Sequence, residues 1–253
     1  MKPIYLLVTA LLLFSCQKQS LTDNRSDEEL RIKKTETCFT DPAALTQVSV
    51  ITTSAKKIKN PPTTGNYSCI YLDFAGHTVT SAHWNNGTTF ECAPAALTTT
   101  QIEYVLDKVR NAFAPYKVVI TENESEYLNA NRNMRMRIII TPTSAWRPGV
   151  SGVAYINSIT WGDGTPAFVF SDRLSNIEHF IGEIAAHEAG HTLGLYHQTV
   201  YDQNCNLINP FNPGKIMGNS LHAEYGEWTI GTSHSCTTIQ NDNQVLKNKL
   251  GFR

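Results

Sequence analysis

His187-Glu188-Ala189-Gly190-His191-Thr192-Leu193-Gly194-Leu195-Tyr196-His197 is the stretch that decides how this chain of 253 residues is read. It has the form H-E-x-x-H-x-x-G-x-x-H. His187 and His191 are four positions apart, so on a helix they stand one turn above each other on the same face. Two neutral imidazoles so placed bind one metal ion, and Glu188 projects close enough to act on metal-bound water. Gly194 lets the chain leave the helix in a conformation that residues with a β-carbon resist. That turn brings His197 back as a third ligand and leaves the fourth position open for water, as catalytic zinc sites require. The competing reading is coincidence, with the histidines packed in a core. Five specified uncommon residues in this pattern arise by chance in on the order of one in 10^5 chains of this length. The metal reading is the one taken.

With these residues on the page, the chain resembles the metzincin clan of zinc peptidases. A second mark of that clan is a methionine-containing turn beneath the metal, which the resemblance places at Ile216-Met217-Gly218. Upstream, Ile70-Tyr71-Leu72-Asp73-Phe74-Ala75-Gly76-His77, Ala114-Pro115-Tyr116-Lys117-Val118, Gly152-Val153-Ala154-Tyr155 and Pro166-Ala167-Phe168-Val169-Phe170 look like blocks of secreted bacterial metzincin-like proteases. The resemblance thus covers residues 67–250. It departs at one point: many metzincins carry a tyrosine two residues after the methionine, where this chain has Asn219, with Tyr225 as a candidate substitute.

The resemblance implies an α+β, metzincin-like catalytic domain. A twisted, mixed five-stranded sheet would carry a backing helix and the active-site helix, above a loop-rich lower subdomain that ends in a helix. It implies one catalytic Zn2+, with Met217 in the turn beneath it. It also implies a substrate peptide lying antiparallel to an edge strand formed by Gly152, Val153, Ala154, Tyr155 and Ile156, since edge backbone groups pair with an extended peptide. Metzincins often hold structural calcium as well. Asp73, Asp163 and Asp172 are the candidates for Ca2+ here, but no loop matches an EF-hand and ordinary turn chemistry is the preferred reading.

Net charge is −1 and hydrophobic residues make up 41%. That suffices for one domain with a sizeable core, and no basic excess points to nucleic acid. The amino terminus reads as a targeting segment: Lys2, then an apolar run over residues 4–14 too short to span a bilayer, then Ser15 before Cys16. Leu13-Phe14-Ser15-Cys16 resembles a bacterial lipobox, in which cleavage precedes a lipidated cysteine. The alternative is an ordinary signal peptide with an incidental cysteine. The domains expected are a signal peptide over 1–15, a lipidated Cys16 with a flexible tether or short pro-segment over 16–66, and the peptidase domain over 67–253. Residues 17–60 are polar, with few large apolar side chains to offset ordering entropy. Cys38 lies there. A thiolate can occupy an open zinc position, but nothing around Cys38 resembles the known cysteine-switch motif. The protein is expected to be exported, as a monomeric envelope lipoprotein that is periplasmic, exposed on the outer membrane, or secreted.

Along the domain, residues 69–74, 116–121, 134–141, 152–156 and 167–171 read as strands. Residues 97–113 have helical spacing, and Pro115 stops that helix. Asn176 is the expected N-cap of the helix carrying His187, a polar loop runs through residues 84–87, and a helix is expected over residues 239–249. An exported chain lives where disulfides persist. The preferred pairs are Cys205–Cys236, which bracket the Met217 turn, and Cys69–Cys92, which bracket the first loop, although spacing alone does not fix connectivity. The five other histidines, His77, His83, His179, His222 and His234, have no ligand spacing.

The function expected is a zinc-dependent endopeptidase acting on extended protein or peptide substrates. Zinc-activated water would attack the scissile carbonyl, with Glu188 as general base and then general acid. Two other readings stand beside it: a zinc hydrolase of a non-peptide amide, and a catalytically silent binding module that keeps a metal-shaped site.

Overall fold

In the computed structural model, the backbone of Thr35–Cys38 and residues 65–253 are described. The segment expected as a signal peptide (1–15), Cys16, and the expected tether apart from residues 35–38 and 65–66 lie outside the described residues. Strand β2 (Ser68–Asp73) is an apolar run buried on both faces, as a central strand of a parallel sheet must be. It pairs in parallel with β5 (Val118–Thr121) on one side and β6 (Arg135–Thr141) on the other. β6 pairs in parallel with β8 (Ala167–Phe170), and β7 (Gly152–Tyr155) lies antiparallel on β8. These are the expected five strands of a mixed sheet. A sixth, β1 (Thr35–Cys38), comes from the amino-terminal segment and is added antiparallel to the outer edge of β7.

Alternate side chains of the sheet feed two different cores, which is why the strands read as unbroken apolar runs. Ile70, Leu72, Ile138, Ile140 and Val169 pack against α1 (Thr99–Ala112) and α3 (Glu178–Thr192). Helix α1 starts with a reciprocal cap: the Thr98 side chain accepts from the Gln101 backbone, and the Gln101 side chain accepts from the Thr98 backbone. The opposite face sends Ile139, Val153, Phe168 and Phe170 against Val79, Trp84, Phe90 and Trp146. That second cover is a small hairpin, β3 (His77–Val79) with β4 (Phe90–Cys92), folded around the segment read from sequence as a polar loop. The short helix α2 (Glu124–Asn129), capped by Asn123, covers Cys69, Tyr71 and Val119.

Below the sheet the chain is mostly loop. It holds two small ladders, β9 (Val200–Tyr201) with β10 (Leu207–Asn209) and β11 (Ile230–Thr232) with β12 (Ile239–Asn241), and then α4 (Asp242–Leu250). The carboxy-terminal helix therefore begins later than expected. Residues 239–241 pair with β11, and Asn241 caps the helix by accepting from the Gln244 N–H.

Two further expectations are corrected. Asn176 is not the N-cap of α3; it sits in a tight turn at φ 53° with its N–H donated to the Ser171 carbonyl, and Ile177 takes the cap position without a side-chain bond. Cys69 and Cys92 are free and buried, because Cys69 faces the α2 core and Cys92 the hairpin core; burial pushes both thiols up to about 12. Cys205 and Cys236 do form a disulfide, with Cα atoms 5.5 Å apart.

A candidate metal centre

Helix α3 is apolar and small-residue-rich on all sides, so it lies inside the protein, with Phe180 through Thr192 all buried. Its orientation fixes the first two histidines. The Nδ1–H of His187 donates to the Ile216 carbonyl, and that of His191 donates to the Leu195 carbonyl at 2.8 Å. With Nδ1 protonated, each ring presents a bare Nε2 lone pair, and the backbone carbonyl locks that tautomer. The Nε2 atoms of His187 and His191 stand 2.9 Å apart, and those of His191 and His197 3.2 Å. No hydrogen is left between the first two nitrogens. Lone pairs brought that close repel one another unless a cation lies among them, so the donor set fits a metal ion. Tetrahedral zinc with Zn–N bonds of about 2.0–2.1 Å separates its nitrogens by about 3.3 Å. Burial, reinforced by the neighbouring His197, pushes the His187 imidazole down to about 3, which keeps it neutral and ready to ligate. Among the described residues this is the one cluster of His, Cys, Asp or Glu in which three ligand atoms lie within 4.8 Å of one another.

The chain reverses after α3 at Gly194, whose φ of +107° few L-residues adopt. Gly194 donates to the His191 carbonyl and Leu195 to the Gly190 carbonyl, which closes the helix end and swings His197 inward. What holds His197 in place was not legible in the motif. Gln198 donates its N–H to the Met217 carbonyl, and its side chain donates to Asp242 Oδ2 at 2.9 Å and accepts from the Thr229 hydroxyl at 2.8 Å. Gln240 accepts from the Tyr196 N–H and donates to the Tyr196 carbonyl. Two glutamines and Asp242, all from outside the motif, therefore tie the loop carrying His197 to the start of α4.

Met217 is fully buried under the helix. A β-carbon on Gly190 would meet the Met217 sulfur at 2.5 Å and the Trp228 ring at 3.1 Å. Gly190 is thus the gap that the thioether fills, beside His191. Glu188 is buried against β7: a β-carbon on Gly152 would fall on Glu188 Oε1 and come within 2.8 Å of Ile184. The carboxylate stands beside the edge strand where the resemblance placed the substrate. Ile156 falls just past that strand. The outer edge of β7 carries β1 in the register Thr35 to Tyr155, Glu36 to Ala154, Thr37 to Val153 and Cys38 to Gly152. The backbone of Cys38 is therefore level with the residue that touches Glu188, although no sequence motif marked it.

The remaining candidates do not join the cluster of three histidines. Asn219 lines a cavity of about 10 Å³ beside His187, together with Ile184, Phe211, Gly218, Ser220 and Leu221. Tyr225 lies on the far side of the helix, its ring 4.7 Å from Lys108 Nζ. Asp73 pairs with Arg137, Asp163 with His83, and Asp172 with Arg173 and the Ser144 hydroxyl; each is engaged by protein donors. His179 bonds the Leu221 carbonyl, and His77 stands against Arg137.

Residues 84–198 match the model of the family M12B reprolysin-like metallopeptidases. The match takes in β7, all of α3 and the three histidines, and stops short of Met217. No curated protein matches the chain.

Proposed function

We propose that this chain, a metallopeptidase of the metzincin type, is a zinc endopeptidase that cuts extended polypeptides held on the edge of β7. The observation that carries the reading is the adjacency of Glu188 to Gly152, on a strand edge that already takes an extended polypeptide segment antiparallel. Such an edge recognises peptide backbone through N–H and C=O groups, whatever the side chains. His187, His191 and His197 would hold the zinc ion, which when bound supplies Lewis acidity toward a carbonyl oxygen and toward water. Glu188 is not one of the converging nitrogen ligands, and its carboxylate would handle protons. It takes one from the attacking water and returns it to the leaving amine. β7 orients the scissile bond over that carboxylate and excludes water along its length.

A panel of unfolded proteins beside a panel of glycan and cell-wall amides tests the reading, with zinc stoichiometry measured in parallel. New amino termini inside the polypeptides support it. Amide release from glycan without peptide cleavage would move the assignment to a non-peptide hydrolase. Tight zinc binding with no turnover on either panel would move it to a binding module.

The cellular placement rests on the amino-terminal residues alone. Lipidation at Cys16 would anchor the domain to a membrane surface through the tether. Intact-mass analysis of membrane-fractionated wild type and Cys16→Ala checks it, and a soluble wild type without acyl mass would reject it.

A further inference from the structure

On the side of α3 away from β7 is a second cluster of charged groups that the proposed chemistry does not use. Glu183, one turn before His187, is buried together with Lys108 of α1; Lys108 Nζ lies 2.8 Å from Glu183 Oε1. Lys108 also donates to the Glu224 carbonyl at 2.8 Å and caps the Tyr225 ring. Glu183 accepts in turn from the Ser220 hydroxyl and from the Gly226 N–H at 3.2 Å. Gly182 makes room for the lysine stem, since a β-carbon there would stand 2.9 Å from Lys108 Cδ. All five contacts of the pair end on one segment, residues 220–226, or on each other.

A buried ion pair contributes little net stability over well-packed apolar residues, because desolvation offsets the attraction. It does fix geometry, and here the geometry it fixes is functional. Ser220 is at once a donor to Glu183 and a wall of the cavity beside His187. That cavity, about 10 Å³, is near the lower limit for a single water. We propose that Glu183 is a positioning residue for substrate specificity: with Lys108 it clasps residues 220–226, holds Ser220 against α3, and keeps the cavity beside His187 small. The peptide residue seated there then carries a small side chain, glycine, alanine or serine. This deepens the peptidase reading and rests on it.

The test digests a proteome-derived peptide library with zinc-loaded wild type, Glu183→Gln and Ser220→Ala, and reads the residues flanking every cut. Wild type should show glycine, alanine or serine enriched at one fixed flanking position. Both variants should broaden that position. The ratio of kcat/KM for paired peptides with alanine and leucine there should fall by about tenfold, the scale on which a pocket discriminates by a few methylenes. Zinc content should stay stoichiometric. Glu183→Gln leaves a buried ammonium short of its carboxylate; if it does not fold, Ser220→Ala, which loses a single hydroxyl, decides the matter. An unchanged profile in a folded Ser220→Ala would overturn the proposal, as would a wild-type preference for large side chains at every position. A wild type that cuts nothing removes the peptidase reading itself, and the proposal with it.

Discussion

Gly152 stands against Glu188 with no room for a β-carbon between them. Strand β7 and the carboxylate proposed as the general base are thus in direct contact, and the strand's sequence sets where the carboxylate sits. Gly152→Ala should push Glu188 off its position while leaving the three histidines alone. A misplacement of about 1 Å at a reacting group costs on the order of 10²-fold in rate. Peptidase kinetics and zinc content measured together check this. Wild-type kinetics in the variant would show that Glu188 tolerates displacement.

Glu188→Ala and the ligand variants should separate cleanly. Removing the carboxylate leaves the three converging imidazoles in place, so zinc content and melting temperature should hold. Peptide hydrolysis should drop by at least ~10²–10⁴-fold, the usual worth of a general base. His187→Ala, His191→Ala or His197→Ala should lose metal as well as activity. Full activity in Glu188→Ala would exclude the mechanism.

The fold was legible where chemistry and periodicity agree. H-E-x-x-H fixed a helix because two of its ligands need the same face, and Gly194 fixed the turn because only a positive φ returns His197 to them. The strands were legible as apolar runs because both faces of the sheet are covered. The hairpin over residues 77–92 was not: its polar residues hide three anchors, Val79, Trp84 and Cys92, whose burial depends on the far side of the sheet. The same holds for the support of His197. Gln198 is 44 residues from Asp242, which has Gln240 two residues before it, and only the folded lower subdomain brings the three together. The expected start of the last helix, at residue 239, came too early for a related reason: β12 runs straight into α4.

Asp242 gives a stability signature. Burial pushes its carboxyl up to about 6, against hydrogen bonds from Thr229, Gln240 and Gln198 that pull the other way. The unfolded chain would hold an aspartate near 3.9. Between those values the folded state binds the proton that the unfolded state has released, so this group's contribution falls as pH rises from about 4 to 6 and is level above that. The full change is of order 3 kcal/mol. Denaturant unfolding of wild type and Asp242→Asn across that window checks it: the stability difference between them should shift against the wild type as pH rises. Parallel curves would mean that the carboxyl does not titrate there.

The last prediction concerns β1. Residues 35–38 lie antiparallel on the edge that substrate is proposed to use, with Cys38 opposite Gly152. A peptide strand and this segment cannot both pair with β7. Because the segment belongs to the same chain, it competes intramolecularly, at an effective concentration taken as on the order of millimolar. If its intrinsic dissociation constant is ~0.1 mM, it occupies the edge about ten times as often as it leaves it. Removing the chain through Cys38 should then raise kcat/KM on a peptide substrate by about tenfold. A synthetic peptide spanning residues 33–40, added to the truncated protein, should raise KM and leave kcat unchanged. The comparison needs the same zinc content in both proteins, so metal is measured alongside. Equal kcat/KM for long and truncated chains, with no competition from the peptide, would show that β1 leaves the edge freely and exerts no hold on the enzyme.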